Sequence, residues 1–176
     1  MTLLEKIRGN RRGTTTDDIR RTFGDYHNVL HWLATFLTGD NEVADTCIVD
    51  ACSIAQTQTP DFHEWLVHWA AQATVRCALK LQHTRIVELA REYEKSESAH
   101  RECPPLSTEC FRLLIEKSAD IQARLDVLCR FALVMRGIAK YSCVDVARKL
   151  GISRGAVERA YCLAFDTLGL SGGCSG

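Results

Sequence analysis

The sequence predicts an all-α protein made of two small helical domains joined by a flexible linker. Apolar residues recur at the i, i+3, i+4, i+7 spacing of an amphipathic helix along most of the chain. No segment of useful length alternates apolar and polar residues as a half-buried strand does. A polar segment with two adjacent prolines interrupts the helical pattern, and 176 residues suffice for two small domains.

Changes in composition set the predicted boundaries. We expect a basic N-terminal tail, a first helical domain, a linker, a second helical domain and a disordered tail, at residues 1–22, 23–92, 93–106, 107–170 and 171–176. The linker is polar, and Pro104-Pro105 prevents a helix from continuing through it. The last segment, SGGCSG, has too little apolar surface to fold.

Each domain contains apolar sets with helical periodicity. The three sets of the first domain are Val29-Trp32-Leu33-Phe36-Leu37, Ala44-Cys47-Ile48-Ala51-Ala55 and Phe62-Trp65-Leu66-Trp69-Ala70-Ala73. The second domain has Leu125, Leu128, Cys129, Ala132 and Leu133. Because the three tryptophans lie within these sets, we expect them in the core rather than on a surface that stacks bases.

Charge is unevenly distributed although the formal net charge is zero. Residues 22–75 contain seven acidic residues and no Lys or Arg, whereas residues 124–160 contain eight basic and three acidic residues. Such segregation indicates different partners for different parts of the chain. No apolar run approaches the ~20 residues of a membrane span, and the N-terminus has no export signal. We therefore expect a cytoplasmic protein without membrane insertion.

The nine cysteines form no CxxC pair and are irregularly spaced, which favours reduced, buried thiols over a disulfide framework. The nearest approach to a metal-ligand set is His100, Cys103 and Cys110, but paired ligand spacing is missing, so no metal is expected. The sequence also has no nucleophile–base–acid set and no glycine-rich phosphate loop. We expect neither an enzyme nor a cofactor.

The most specific local pattern is DVARKLGISRGAVERA, residues 145–160. Ser142 is placed to cap a first helix with Asp145 three residues on, and Ala147 is small enough for a second helix to cross closely. Gly151 supplies the left-handed turn, and Ser153 caps the second helix. These features predict a helix-turn-helix, with an ordinary helical corner as the alternative. The expected inward residues are Val146, Leu150, Ile152 and Val157.

In a DNA-binding helix-turn-helix the first residues of the second helix enter the major groove. An arginine there can bridge guanine O6 and N7, a glutamate can accept from cytosine N4, and nearby lysines hold phosphates. For each arginine taken singly, a solvated surface charge is the alternative. The predicted DNA-binding residues are Lys149, Ser153, Arg154, Gly155, Ala156, Glu158 and Arg159.

These motifs resemble those of bacterial RNA polymerase sigma factors of the extracytoplasmic-function group. SCVDVA at 142–147 and LGISRGAVERA at 150–160 are similar to the family's C-terminal helix-turn-helix, and Arg130 with LVMR at 133–136 to the helix before it. TGDNEVADTCIVDAC at 38–52 resembles the polymerase-docking helix, and DFHEWLVHWAAQ at 61–72 the segment beside the −10 element. The two blocks cover about two thirds of the chain.

The resemblance implies a transcription initiation factor that binds core RNA polymerase and recognises promoter DNA, reading the −35 element through the C-terminal helix-turn-helix. The docking residues it implies are Asp45, Ile48, Val49 and Asp50, and an anti-sigma factor is a further partner. Residues 22–75, without Lys or Arg, form a poor DNA surface but a suitable one for a basic protein.

Two alternatives remain open. One is a sigma-like interaction module that sequesters an anti-sigma factor or the polymerase with little DNA binding. The other is a helix-turn-helix regulator that acts without polymerase and dimerises on two half-sites.

Overall fold

The computed structural model describes residues 14–57, 65–96 and 103–169, and all regular elements within these ranges are helical. The all-α prediction is confirmed for this part of the chain. Some of the sequence predictions fall outside the described residues. They concern the tail at 171–176, most of the basic N-terminal tail, and Phe62. The helices are α1 Thr16–Asp25, α2 His27–Thr38, α3 Asn41–Thr57, α4 Leu66–Lys95, α5 Thr108–Glu116, α6 Ser118–Arg124, α7 Val127–Ala132, the π-helical segment Leu133–Ile138, α8 Cys143–Leu150 and α9 Arg154–Thr167.

Local sequence signals set the ends of the first helices. Thr15 and Asp18 form a reciprocal capping box at the start of α1. Gly39, with φ 87°, ends α2, and the Asp40 carboxylate accepts from the backbone N–H groups of Glu42 and Val43 to open α3. The apolar faces of α2 and α3 are buried as the periodicity predicts, and both helices pack against α4.

Of the three tryptophans, Trp32 and Trp69 pack against the core, and the Trp69 indole N–H donates to the Ala55 carbonyl over 3.4 Å. The prediction was wrong for Trp65, whose side chain is 62% exposed. Trp65 lies before the first turn of α4, where helical periodicity no longer fixes the direction of a side chain.

We call residues 14–96 the first half of the chain and residues 103–169 the second half. The second half begins with a packed, non-helical segment, residues 103–107. Gly137 allows this segment to approach, because a Cβ atom there would lie 2.8 Å from Leu106 Cδ1. Leu106 and Cys103 are buried, and the Pro104 carbonyl accepts from the Tyr161 hydroxyl over 2.7 Å. The described C-terminal end of the expected linker is therefore held against the second half, and at its other end α4 continues to Lys95.

The two halves share one hydrophobic core. The buried apolar residues of both belong to a single cluster, and the 30-residue α4 contacts helices from each. Gln122 donates to the Thr35 carbonyl over 3.1 Å, and Gln72 donates to the Tyr141 hydroxyl over 3.1 Å. The predicted separation into two domains with a flexible linker is thus not confirmed. Within the described ranges, no helix combines the length and apolar composition needed to cross a bilayer.

Candidate nucleic-acid interface and docking surface

Helices α8 and α9 form the helix–turn–helix geometry that the sequence predicts. Ser142 Oγ accepts from the Asp145 backbone N–H over 3.1 Å and donates to the Asp145 carboxylate over 2.7 Å. Gly151 adopts φ 68° and ψ 34°, the left-handed conformation that ends α8. Ser153 Oγ then accepts from the Ala156 backbone N–H over 3.2 Å and caps α9. The two predicted caps and the glycine turn are confirmed.

The inward face of this unit also agrees with the sequence. Val146, Leu150 and Val157 are fully buried, Ala147 is buried, and Ile152 packs half-buried against the same core. The angle between α8 and α9 is therefore held by apolar packing as well as by the turn. The unit presents the N-terminal end of α9 at the surface.

Two predicted base-reading side chains form an ion pair with each other. Arg154 Nε lies 2.5 Å from Glu158 Oε1, one helical turn along α9. The Arg154 side chain is 62% exposed, whereas that of Glu158 is only 18% exposed, so solvent screens the pair on the arginine side alone. A base edge or phosphate can reach the guanidinium but would have to displace Glu158 from it. Gly155 adjoins open space, since a Cβ atom there would meet nothing within 4 Å.

Ala156 and Arg159 are engaged inside the molecule. Ala156 is fully buried, so its methyl group contributes to the core and is not presented at the surface. Arg159 Nη1 donates to the Tyr93 backbone carbonyl at the end of α4 over 2.5 Å. In this arrangement the N-terminal part of α9 is accessible, and Arg159 is tied to the first half.

The basic residues at the end of α8 differ in their surroundings. Arg148 pairs with Asp145 over 3.4 Å. Lys149 is exposed, and its Nζ lies 4.9 Å from the centre of the Tyr141 ring. Lys149 is therefore oriented toward the seam between α8 and α4 rather than along the turn.

Three of the four predicted docking residues lie on the surface of α3. Val49 is 66% exposed, Asp50 is exposed, and Asp45 pairs with His31 Nε2 over 3.1 Å while its side chain stays 67% exposed. Ile48 is buried and packs beneath this surface. The sequence did not indicate the Asp45–His31 pair, since it joins two helices.

An open hollow of about 470 Å³ adjoins the docking surface. Its lining comes from α1, the start of α2 and α3, and includes Phe23, Ile48 and Val49. Arg20 and Gln56 also line the hollow, so only its part beside Ile48 and Val49 suits an apolar side chain of a partner bound to α3.

Of the eight cysteines at described positions, five are buried, and Cys52, Cys143 and Cys162 are half-buried. The eight at described positions are free, and burial raises the pKa of Cys47 and of Cys129 to about 12. Burial outweighs the neighbouring Arg130 at Cys129, and both thiols therefore stay protonated and unreactive near neutral pH. Of the residues considered for a metal, His100 lies outside the described residues, and no group of three ligating side chains within them could hold an ion.

The sequence did not reveal the residues that join the two halves. Tyr93 donates to the Asp126 carboxylate over 2.6 Å, and Arg130 is buried against Gly39 with its Nε lacking a hydrogen-bond partner. These pairs are 33 and 91 residues apart in sequence. In the sequence, Arg130 stands within an apolar helical pattern, and Tyr93 stands at the start of the polar segment expected to be the linker.

No protein-family model, curated protein or solved structure matches this chain.

Proposed function

We propose that this protein is a sigma-type transcription initiation factor that binds core RNA polymerase and recognises promoter DNA. The observation that carries the proposal is the α8–α9 unit, with both helices capped by serine and joined by a left-handed glycine. Its exposed end presents Arg154 with Ser153 and Gly155. These are the positions that a recognition helix inserts into the major groove, here that of the −35 element.

The docking surface of α3 supplies the second part of the proposal. Asp45, Val49 and Asp50 are exposed on a stretch of chain that has no Lys or Arg. A basic helix of core polymerase would pair with the carboxylates and cover Val49. Ile48 would support this contact from below, because its side chain is already buried.

The packing of α9 on α4 adds a condition to DNA reading. Arg159 can reach a base or phosphate only after its hydrogen bond to the Tyr93 carbonyl breaks. Ala156 can contact a base only after α9 moves away from the core. Arg154 and Glu158 would therefore be the first side chains of α9 to contact base edges. Full engagement of the groove requires α9 to separate from α4 when polymerase binds.

The test of docking is retention of core RNA polymerase by the immobilised full-length chain. Asp45→Arg and Asp50→Arg should each abolish retention, because they reverse charge on the docking surface. Glu116→Arg is the matched control, since Glu116 is an exposed helical carboxylate in the other half. Equal retention by the Asp45 and Asp50 variants would reject this docking surface.

DNA reading is tested by footprinting genomic fragments with the polymerase complex. Arg154→Ala should remove protection of the −35 region. Arg148→Ala, beside it at the surface and paired with Asp145, should weaken binding evenly without changing the protected sequence. Protection that is unchanged in the Arg154 variant would contradict groove reading by α9.

A sigma-like interaction module is the second candidate. The engaged Arg159 and the absence of Lys and Arg from residues 22–75 favour it, since both reduce the DNA-binding surface. Such a module would bind an anti-sigma factor or polymerase tightly and would show no DNA binding at low salt. Promoter-specific protection by the polymerase complex would exclude it.

A further inference from the structure

A second hollow, of about 200 Å³, lies at the seam between α4 and the second half. Its floor is apolar and consists of Val75 and Leu79 from α4 and Met135 from the π-helical segment. This volume is below the roughly 300–1,000 Å³ of pockets for drug-sized ligands. It suits a small organic molecule that can bury a short hydrocarbon body.

The rim of this seam hollow carries two cations. Arg76 comes from α4 and Lys149 from α8, and no Asp or Glu is among the lining residues. Within the described residues neither cation has an ion pair. Each instead lies over an aromatic ring, Arg76 Cζ at 5.6 Å from the centre of Trp69 and Lys149 Nζ at 4.9 Å from that of Tyr141.

Two neutral polar groups complete the rim. Gln72 Nε2 donates to the Tyr141 hydroxyl over 3.1 Å. The phenol oxygen therefore accepts a hydrogen bond, and its own proton has no acceptor within the described residues. A ligand oxygen between Arg76 and Lys149 would be a suitable acceptor for that proton.

We propose that the seam hollow binds a small organic anion with an apolar body. The anionic head would lie between the Arg76 guanidinium and the Lys149 ammonium, and the body would cover Val75, Leu79 and Met135. Two cations with no carboxylate among the residues that line the hollow select a negative charge, and the apolar floor selects a hydrocarbon over an inorganic ion. The site shares Lys149 with the predicted DNA-binding residues, but its evidence and its test do not depend on the proposed role in transcription.

The position of the hollow gives the bound anion a structural effect. Arg76 and Lys149 belong to different halves of the molecule, so one head group would link α4 to α8. A ligand that contacts both sides binds the packed arrangement more tightly than a separated one and stabilises it. The midpoint temperature of unfolding should rise with ligand concentration.

Isothermal titration calorimetry of the full chain with octanoate tests the proposal. Acetate carries the charge without the body, and 1-octanol carries the body without the charge. Octanoate should bind saturably at one site. Acetate should bind at least about tenfold more weakly because it lacks the buried hydrocarbon, and 1-octanol should do so because it lacks the charge-assisted hydrogen bond. Equal binding of 1-octanol, or no saturable binding of octanoate, would overturn the proposal.

Charge variants locate the site. Arg76→Gln and Lys149→Gln should each weaken octanoate binding about tenfold, whereas Lys80→Gln, one turn along α4, and Arg148→Gln should not. All four residues are exposed, so the variants are expected to fold. Octanoate binding that is unchanged in the Arg76→Gln/Lys149→Gln double variant would place the ligand elsewhere and reject the seam hollow.

Discussion

Arg159 in α9 donates a hydrogen bond to the backbone carbonyl of Tyr93 at the end of α4, and so joins the helix–turn–helix unit to the first half of the chain. The contact spans 66 residues of sequence. Because the Arg159 donor is charged and half-buried, its removal should lower the free energy of unfolding more than the removal of an exposed arginine does.

Arg159→Ala should lower the free energy of unfolding by about 1–2 kcal/mol, since it leaves the Tyr93 carbonyl without its charged donor. Arg154→Ala is the matched control on the same helix and should lower stability by less than Arg159→Ala, because its guanidinium is exposed to solvent. Urea denaturation measures both. Equal losses would mean that the Arg159 contact adds nothing to the packing of α9 on α4.

Tyr93→Phe should destabilise the protein by about 1.5–3 kcal/mol. The Tyr93 hydroxyl donates to Asp126 Oδ2 over 2.6 Å, and the other oxygen of that carboxylate caps α7 by accepting from the Cys129 N–H. Burial raises the pKa of Tyr93 far above its usual range, so the phenol stays protonated and able to donate. Tyr26→Phe, at a 44% exposed tyrosine, is the control and should be near neutral in the same denaturation experiment.

Gly39→Ala should cost more stability than Gly151→Ala. Both glycines have positive φ, 87° and 68°, so each alanine incurs the left-handed penalty of roughly 1–2 kcal/mol. At Gly39 the new Cβ would also lie 2.9 Å from Arg130 Nη1, whereas at Gly151 the nearest atom is His83 Nε2 at 3.7 Å. Because Arg130 is buried, it cannot move aside into solvent. Thermal unfolding of the two variants compares them, and equal shifts would contradict a close Gly39–Arg130 contact.

Arg130→Met should leave the protein at least as stable as the native chain. Burial lowers the pKa of Arg130, and its Nε has no hydrogen-bond partner, so the guanidinium is desolvated without full compensation. Methionine keeps the apolar stem and removes the charge. Arg130→Ala should instead lose about 2–4 kcal/mol, because it leaves a cavity. A methionine variant clearly less stable than the native chain in urea would show that the guanidinium itself is required.

Stability should fall as pH rises from 9 toward 12. Burial raises the pKa of Cys47 from 9.0 to about 12, so the folded state retains a proton that the unfolded state has released. The stabilisation is fully present below pH 9 and is lost as pH rises through the folded pKa. Relative to pH 7, Cys47 alone should remove about 1 kcal/mol at pH 10.

Urea denaturation under reducing conditions at pH 7 and pH 10 checks the Cys47 contribution. Cys47→Ala should reduce the difference between the two pH values, even though the variant is less stable overall. Cys52→Ala, a half-buried thiol on the same helix, provides the comparison. An unchanged pH difference in the Cys47 variant would show that this thiol does not contribute.

The local structure of the candidate interface follows directly from the residue pattern. Ser142, Gly151 and Ser153 act through backbone groups within four residues of themselves, so their roles can be read from sequence order. The buried positions Val146 and Val157 follow from the 3.6-residue repeat. The same logic failed at Trp65, where the repeat no longer applies at the helix end.

By itself the sequence determined the helical class of the described residues, the caps and glycine turn of the α8–α9 unit, and the inward-facing positions of that unit. Short-range hydrogen bonds and periodic burial decide these features. Only the tertiary structure decided that α4 runs through the expected boundary and joins both halves in one core. Tyr93–Asp126, Arg159–Tyr93 and Gly39–Arg130 are contacts between helices far apart in sequence, and they depend on how helices dock. Docking also turned Ala156 inward and placed Arg76 and Lys149 on the rim of one hollow, an arrangement that no spacing in the chain encodes locally.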